Sequence, residues 1–273
     1  MQVKNLPTIT PRYWTAILVA SMAGANMGDF FSRNLHLGHT RGLLPLAAIF
    51  VVILWAENRA KIATEAYYWL AIIVVRTAAT NLADLATQDL RLGYALIETG
   101  LAGLLIVIVI FDRARARLAS VAPSTVQRNL PATDAPYWAA MLVAGTLGTA
   151  SGDFTASTLG LGLGLGSIVL AAIFAFVLLA SVRIGRMTKA WYWASIVAAR
   201  SAGTTMGDFV ANQHGLHLGL SLSTVCTCGL LVAIVLLWSN EPRAAVPQPG
   251  KLLPARSREK IHRAAQAASQ RGE

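Results

Sequence analysis

At 273 residues the chain is long enough for one or two soluble domains, but its composition excludes an ordinary soluble protein. Hydrophobic residues make up 55% of it and charged residues only 13%, about half the share that is usual in a soluble domain. The formal net charge of +10 does not predict nucleic-acid binding, because most of the basic residues fall in every second segment between apolar runs.

Eight apolar runs follow one another along the chain, and each reaches a spanning length of about 20 residues once its neutral flanks are included. They cover residues 13–31, 43–56, 67–82, 96–111, 137–152, 167–182, 191–206 and 220–238. The sequence therefore predicts an all-α integral membrane protein with about eight transmembrane helices. The first run is not read as a cleaved signal, because the same segment returns three more times.

The distribution of lysine and arginine predicts the orientation in the membrane. Of the 23 basic residues, 18 lie in the N-terminal arm, in alternate loops and in the C-terminal tail. On the other side lie only Arg33, Arg41 and Arg91, and two more basic residues fall inside predicted helices. By the positive-inside rule both termini are expected in the cytoplasm of a bacterial cell, with the protein in the inner membrane.

A Tyr-Trp pair opens four copies of one segment, and the tryptophans of each half of the chain are 55 residues apart. The halves themselves are offset by 124 residues. Because each unit holds two spans, the pattern predicts four parallel two-helix repeats in two homologous halves. The expected organisation is a cytoplasmic arm (1–12), a membrane half (13–112), a cytoplasmic linker (113–136), a second membrane half (137–238) and a basic, mostly disordered tail (239–273).

Each copy carries an aspartate fifteen residues after its tryptophan, preceded by a pair of glycines or alanines that allows close helix packing. Copies two and four also carry an arginine, for which a partner in another unit is expected. Charges inside a membrane span cost about 2.5–3.5 kcal/mol each and therefore point to function. The candidate ion pathway consists of Asp29, Asp84, Asp153, Asp208, Glu98, Arg76, Arg200, Thr80, Thr149 and Thr204.

These residues predict transport or permeation of a small cation, either a metal ion or a proton-coupled solute, because clustered carboxylates suit a hard cation or a proton relay. The alternative is a non-transporting scaffold or sensor subunit whose aspartates and arginines only lock helices together. No nucleophile–base arrangement is present, so an enzyme is not expected. The expected partners are the lipid bilayer and the cation, without nucleic acid, and no cofactor is predicted beyond a bound divalent cation.

Three further motifs have weaker interpretations. The pairs His36/His39 and His214/His217 fall on predicted outer loops, where four imidazoles would bind a transition metal if the first and last units meet. The Tyr-Trp pairs are interpreted as an interfacial aromatic belt. The glycine-rich run at residues 159–165 is interpreted as a tight or re-entrant turn.

The motifs together resemble an uncharacterised family of bacterial multi-spanning membrane proteins. The resemblance rests on Tyr-Trp, then Gly-Thr-x-x-Gly-Asp (148–153 and 203–208), then Leu-Gly-Leu-Gly (159–162). It covers residues 13 to 238, and copy two departs most, reading Ala-Thr-Asn-Leu-Ala-Asp at 79–84. The resemblance implies a membrane fold built from a tandem repeat of unknown function, and it implies no activity.

Overall fold

The computed structural model describes residues 7–60, 64–118, 133–183, 187–212 and 215–237, and these residues form eight α-helices and no strand. The helices are α1 (Pro11–Asp29), α2 (Gly38–Arg59), α3 (Glu65–Asp84), α4 (Tyr94–Leu118), α5 (Ala135–Asp153), α6 (Gly162–Arg183), α7 (Lys189–Ala211) and α8 (Gly219–Leu237). The all-α prediction is confirmed. Most of the predicted linker and all of the predicted tail lie outside the described residues.

Helix starts follow from local sequence signals. Pro11 occupies the first turn of α1, where its missing N–H costs nothing. The side chain of Asp134 accepts a hydrogen bond from the Tyr137 N–H at the start of α5, and Thr188 does the same for Trp191 in α7. These caps place the Tyr-Trp pair in the first turns of these inner helices.

The first helix of each unit belongs to a closed inner ring. In this ring α1 packs against α3, α3 against α5, α5 against α7, and α7 returns to α1. The second helix of each unit lies outside and packs mainly against the inner helix of the next unit: α2 on α3, α4 on α5, α6 on α7, and α8 on α1. The four repeats therefore interlock, and the last closes on the first.

Small residues set how closely the inner helices approach. A Cβ atom added to Gly28 would lie 2.5 Å from Thr80 Cβ, and one added to Gly148 would lie 2.6 Å from Arg200 Cβ. The glycine pair of α7 faces α1 in the same way. Each small-xxx-small pair thus faces the following unit, and a side chain there would separate the two backbones.

We expect Gly148→Ala to destabilise the fold by about 1–3 kcal/mol, because the new methyl group would overlap the Arg200 side chain and the Val197 carbonyl. The matched control is Gly100→Ala in α4, where no atom lies within 4 Å of an added Cβ. That change should be neutral or stabilising by up to about 1 kcal/mol. Unfolding by SDS titration in mixed micelles measures both, and equal effects would contradict the packing account.

The surface is that of a protein in a lipid environment. Five segments of the described chain are long and apolar enough to cross a membrane: Gly38–Arg59, Glu65–Asp89, Tyr94–Arg115, Gly162–Arg183 and Gly219–Leu237. Large apolar side chains on the outer helices are up to 76% exposed. The inner helices α1, α5 and α7 are not among these segments. They are covered by the outer helices, and their buried faces carry many small and polar residues. The chain is a membrane protein whose described part is all-helical.

The connection from inner to outer helix repeats the same local geometry. Directly after the aspartate, three inner helices widen into a π-helical turn: Phe30–Asn34, Leu85–Asp89 and Phe154–Thr158. A residue with positive φ then reverses the chain, and these residues are His36, Arg91, Gly160 and His217. Of the predicted turn at residues 159–165, only residues 159–161 form a tight turn. The prediction is wrong for residues 162–165, which begin α6.

Candidate functional site: a layered axis with a carboxylate cavity

The inner helices present every fourth residue to the interior, which produces five layers along the axis. We name them the tyrosine layer (Tyr13, Tyr68, Tyr137, Tyr192), the apolar layer (Ile17, Ile72, Met141, Ile196), the arginine layer (Ser21, Arg76, Gly145, Arg200), the threonine layer (Ala25, Thr80, Thr149, Thr204) and the aspartate layer (Asp29, Asp84, Asp153, Asp208). A row of residues four apart is inclined by about 26° to its helix, so it follows the bundle axis when each helix tilts by a similar angle.

The aspartate layer lies at one end of the axis and lines a single cavity of about 300 Å³. All four aspartates belong to the wall of this cavity, together with the whole threonine layer. The remaining lining residues come from the turns and the outer helices: Arg33, Thr87, Gln88, Tyr94, Ala156, Ser157 and Leu163. The structure therefore brings together seven of the ten residues in the predicted ion pathway.

The four carboxylates have different surroundings. Asp29 forms an ion pair with Arg33 at 3.5 Å. Asp84 is 4% exposed, accepts a hydrogen bond of 2.8 Å from Gln88, and lies 3.8 Å from His39. The carboxylates of Asp153 and Asp208 make no hydrogen bond or ion pair with another described residue. The carboxylates without a direct partner therefore lie on the α5 and α7 side of the cavity.

Arg200 lies below the floor of the cavity and joins all four inner helices. Its Nε donates to Thr149 Oγ1 at 2.9 Å, and its Nη2 donates to Thr80 Oγ1 at 2.5 Å. Its Nη1 and Nη2 also donate to the backbone carbonyls of Ser21 and Arg76, at 2.6 and 3.3 Å. Contact with other units was predicted, but its partners are hydroxyls and carbonyls rather than acids.

Arg76 has a different environment from Arg200, although the two occupy equivalent positions in the halves. Its side chain is completely buried, and none of its three nitrogens has a hydrogen-bond partner among the described residues. Arg200 interacts favourably with Asp208, Asp153 and Asp84 of the cavity and is repelled by Arg76. The two guanidinium groups therefore differ in how far their charge is offset by neighbouring residues.

The tyrosine layer closes the other end. The four hydroxyl groups form a closed cycle of hydrogen bonds, from Tyr13 to Tyr68 (2.9 Å), Tyr137 (2.8 Å), Tyr192 (2.8 Å) and back to Tyr13 (2.7 Å). The rings are at most 2% exposed, and the neighbouring apolar layer is completely buried. The prediction of an interfacial belt is therefore wrong for the Tyr-Trp pairs, whose tryptophans are also buried between helices.

Sequence reasoning missed this layer because it did not follow the row of residues four apart back to the start of each inner helix. The nearby hydroxyls of Thr77, Thr146 and Ser201 lie outside that row, and each bonds a carbonyl of its own helix four residues earlier. The row that lines the axis contains the tyrosine, the arginine and the aspartate at strict intervals of four. That spacing was visible in the sequence.

The remaining predicted residues lie elsewhere. Glu98 is half-buried in α4 and does not line the cavity. His36 and His217 are exposed at the left-handed turn, a position that histidine tolerates better than most residues. His39 bonds Asp89 at 3.0 Å. His214 is not described, and among the described residues no group of three or more His, Cys, Asp or Glu is placed to hold a metal ion.

The fold and the site define a class: a helical membrane protein of four repeats around a carboxylate-lined axial cavity. The chain belongs to the family described as Repeat of Unknown Function (DUF347), whose model matches residues 12–63, 67–117, 136–187 and 191–241. Each match contains both helices of one unit. No curated protein and no solved structure matches the chain.

Proposed function

We propose that the chain is a membrane transporter for a small cation, with the carboxylate cavity as its binding site. The observation that carries the proposal is that the four repeated aspartates line one shared cavity rather than four separate helix contacts. Acidic groups within a membrane protein are costly and are retained where they contact an ion or a proton pathway. Threonine hydroxyls at the floor add neutral oxygen atoms of the kind that hard cations accept.

The closed lower axis favours a carrier that alternates between two states over an open channel. Below the cavity a cation would meet the Arg200 guanidinium, then the buried apolar layer, then the hydrogen-bonded tyrosines. A positive charge and a dry constriction both oppose its passage. Movement across the membrane therefore requires the inner helices to rearrange.

We assign the tyrosine end to the cytoplasm of a bacterial inner membrane, and the cavity to the outside. The described basic residues at the tyrosine end include Arg12, Arg59, Arg115, Arg183 and Lys189. Those at the aspartate end are Arg33, Arg41 and Arg91. The positive-inside rule supports this orientation, in which both termini would be cytoplasmic.

Asp153→Asn is expected to abolish transport, because the amide keeps the shape of the side chain but carries neither charge nor an exchangeable acidic proton. The purified protein is reconstituted in liposomes loaded with fluorescent reporters, and gradients of H⁺, Na⁺, K⁺, Mg²⁺ and Mn²⁺ are imposed one at a time. The wild-type protein should carry at least one of these cations, and the variant should lose about tenfold or more of that rate.

The matched control is Asp89→Asn, which removes a carboxylate at the same end of the molecule but outside the cavity. Its transport rate should stay within about twofold of the wild-type rate, since an exposed charge is screened by salt. Unchanged flux in Asp153→Asn, or no wild-type flux of any cation in the panel, would overturn the proposal.

A second candidate is a non-transporting scaffold or sensor, and the contacts of Arg200 favour it. Its four hydrogen bonds join helices from every unit, as expected of a structural lock. The aspartates do not fit this role, because two of them bond no other described residue. A scaffold predicts that Asp153→Asn lowers stability in detergent, whereas the transport proposal predicts lost flux with normal stability.

A further inference from the structure

The cavity has a size, a lining and an asymmetry that together specify a ligand class. We infer that it binds a divalent metal ion that keeps its shell of water molecules, held through those waters beside Asp153, Asp208 and Thr204. The inference rests on the proposed function for its biological meaning, but the binding site is argued from the geometry of the cavity. It names the substrate class and the place in the cavity where the ion sits.

The dimensions disfavour direct coordination by several side chains. The cavity encloses about 300 Å³. This volume is far more than one water molecule requires, so an ion can be held there together with bound waters. Among the described residues no three acidic or histidine side chains are close enough together to ligate one bare ion. Mg²⁺ in particular gives up its waters reluctantly and commonly binds with several of them retained.

The lining suits the waters of a metal ion better than the body of an organic cation. Metal-bound waters donate hydrogen bonds, and the wall offers carboxylate and hydroxyl acceptors on several sides. The apolar side chains among its lining residues are Ala25, Ala156 and Leu163, and Tyr94 is the one aromatic residue of the lining. Sites for organic ammonium ions instead use several aromatic rings around the cation.

Thr204 provides an independent indication of where the ligand lies. It is 2% exposed, it lines the cavity, and its hydroxyl has no hydrogen-bond partner among the described residues. The equivalent hydroxyls of Thr80 and Thr149 both accept from Arg200. A buried hydroxyl without a partner is costly, so a ligand water that bonds Thr204 satisfies a need that the protein leaves open.

The charges select the same position. Asp29 is paired with Arg33, and Oδ1 of Asp84 accepts from Gln88. Oδ2 of Asp84 has no hydrogen-bond partner among the described residues, but it lies 3.8 Å from His39. Asp153 and Asp208 project from α5 and α7, which are neighbours in the inner ring, and Thr204 lies one turn before Asp208. Two ionised carboxylates without a direct ion pair, beside a free hydroxyl, attract a doubly charged ion more strongly than a singly charged one.

Hexaamminecobalt(III) tests the inference, because its six ammonia ligands have nearly the size of six waters and do not exchange. Isothermal titration of the detergent-purified protein is carried out with Mg²⁺, with hexaamminecobalt(III), and with Mg²⁺ after saturation by the cobalt complex. We expect both probes to bind with a stoichiometry of about one, and the cobalt complex to abolish the Mg²⁺ signal. Mg²⁺ binding that persists in the presence of the cobalt complex, or no binding of either probe, would overturn the inference.

Two pairs of variants locate the site. Asp153→Asn should weaken binding of both probes by about tenfold or more, whereas Asp89→Asn should change it less than about twofold. Thr204→Val should weaken it several-fold, whereas Thr146→Val, whose hydroxyl bonds the carbonyl of Leu142, should not. Equal effects within either pair would contradict the assigned position.

The outcome is separable from that of the transport proposal. Binding of the cobalt complex without flux of any cation would retain the site and reject the transporter. Flux of H⁺, Na⁺ or K⁺ without binding of Mg²⁺ or the cobalt complex would retain the transporter and reject the hydrated divalent ion.

Discussion

Replacing the two buried arginines by methionine is expected to change stability in opposite directions. Arg200→Met should lower the free energy of unfolding by about 3 kcal/mol or more, and Arg76→Met should raise it by about 2 kcal/mol. The two residues occupy equivalent positions in the halves, and both are completely buried. Their contacts alone produce the difference in sign.

The loss at Arg200 follows from its four hydrogen bonds. Its guanidinium donates to the hydroxyls of Thr80 and Thr149 and to two backbone carbonyls. Hydrogen bonds to a charged group contribute about 1.5–3 kcal/mol each, and removal of the donor leaves buried acceptors unpaired. Methionine fills a similar volume but donates nothing, so the carbonyl of Ser21 loses the partner that joins α7 to α1.

The gain at Arg76 follows from the absence of such bonds. None of its three nitrogens has an acceptor among the described residues, and its side chain is not exposed. A buried charge without a partner is destabilising by several kcal/mol, and an apolar side chain of similar volume removes that cost. If the chain keeps Arg76 in spite of this cost, the guanidinium serves the mechanism rather than the fold.

SDS titration in mixed micelles measures both variants against the wild-type protein. Arg76→Lys is the control for charge, because it retains the positive charge and should stabilise less than Arg76→Met. A loss of stability in Arg76→Met comparable to that of Arg200→Met would mean that both arginines are structural, and it would contradict the environments described above.

The sequence was sufficient to predict the repeat and the helices, because both depend on local patterns. The aspartates stand at a fixed interval from the tryptophans, and the same face carries them into one cavity. The small-xxx-small pairs correctly indicated close packing, as Gly148 against Arg200 illustrates. The sequence could not predict which unit each pair contacts, because that depends on the order of the inner helices in the closed ring.

Two features escaped prediction for physical reasons. The groups that accept hydrogen bonds from Arg200 lie on helices α1, α3 and α5, and no pattern within α7 predicts such contacts. The tyrosines resembled an interfacial belt because Tyr-Trp pairs near helix ends usually contact headgroups. Only the row of four-residue steps from Tyr68 through Arg76 to Asp84 distinguishes an axial position from a peripheral one.

The cyclic order of the tyrosine layer predicts how two Tyr→Phe substitutions combine. Each hydroxyl has two partners, so Tyr68→Phe should cost about 1–3 kcal/mol by leaving Tyr13 and Tyr137 with one bond each. Tyr67→Phe is the control, because the Tyr67 ring is half-buried and its hydroxyl does not belong to the cycle.

The double variants distinguish a cycle from four independent hydroxyls. Tyr13 and Tyr68 share a bond of 2.9 Å, so their double variant should cost about 1 kcal/mol less than the sum of the single variants. Tyr68 and Tyr192 are opposite members that share no bond but share both partners. Their double variant leaves Tyr13 and Tyr137 without any bond of the cycle, so it should cost at least the sum of the single variants. SDS titration of the wild-type protein, the three single variants and the two double variants completes both double-mutant comparisons. Additivity in the adjacent pair would show that the shared bond contributes nothing, and the tyrosine layer would then close the axis by packing alone.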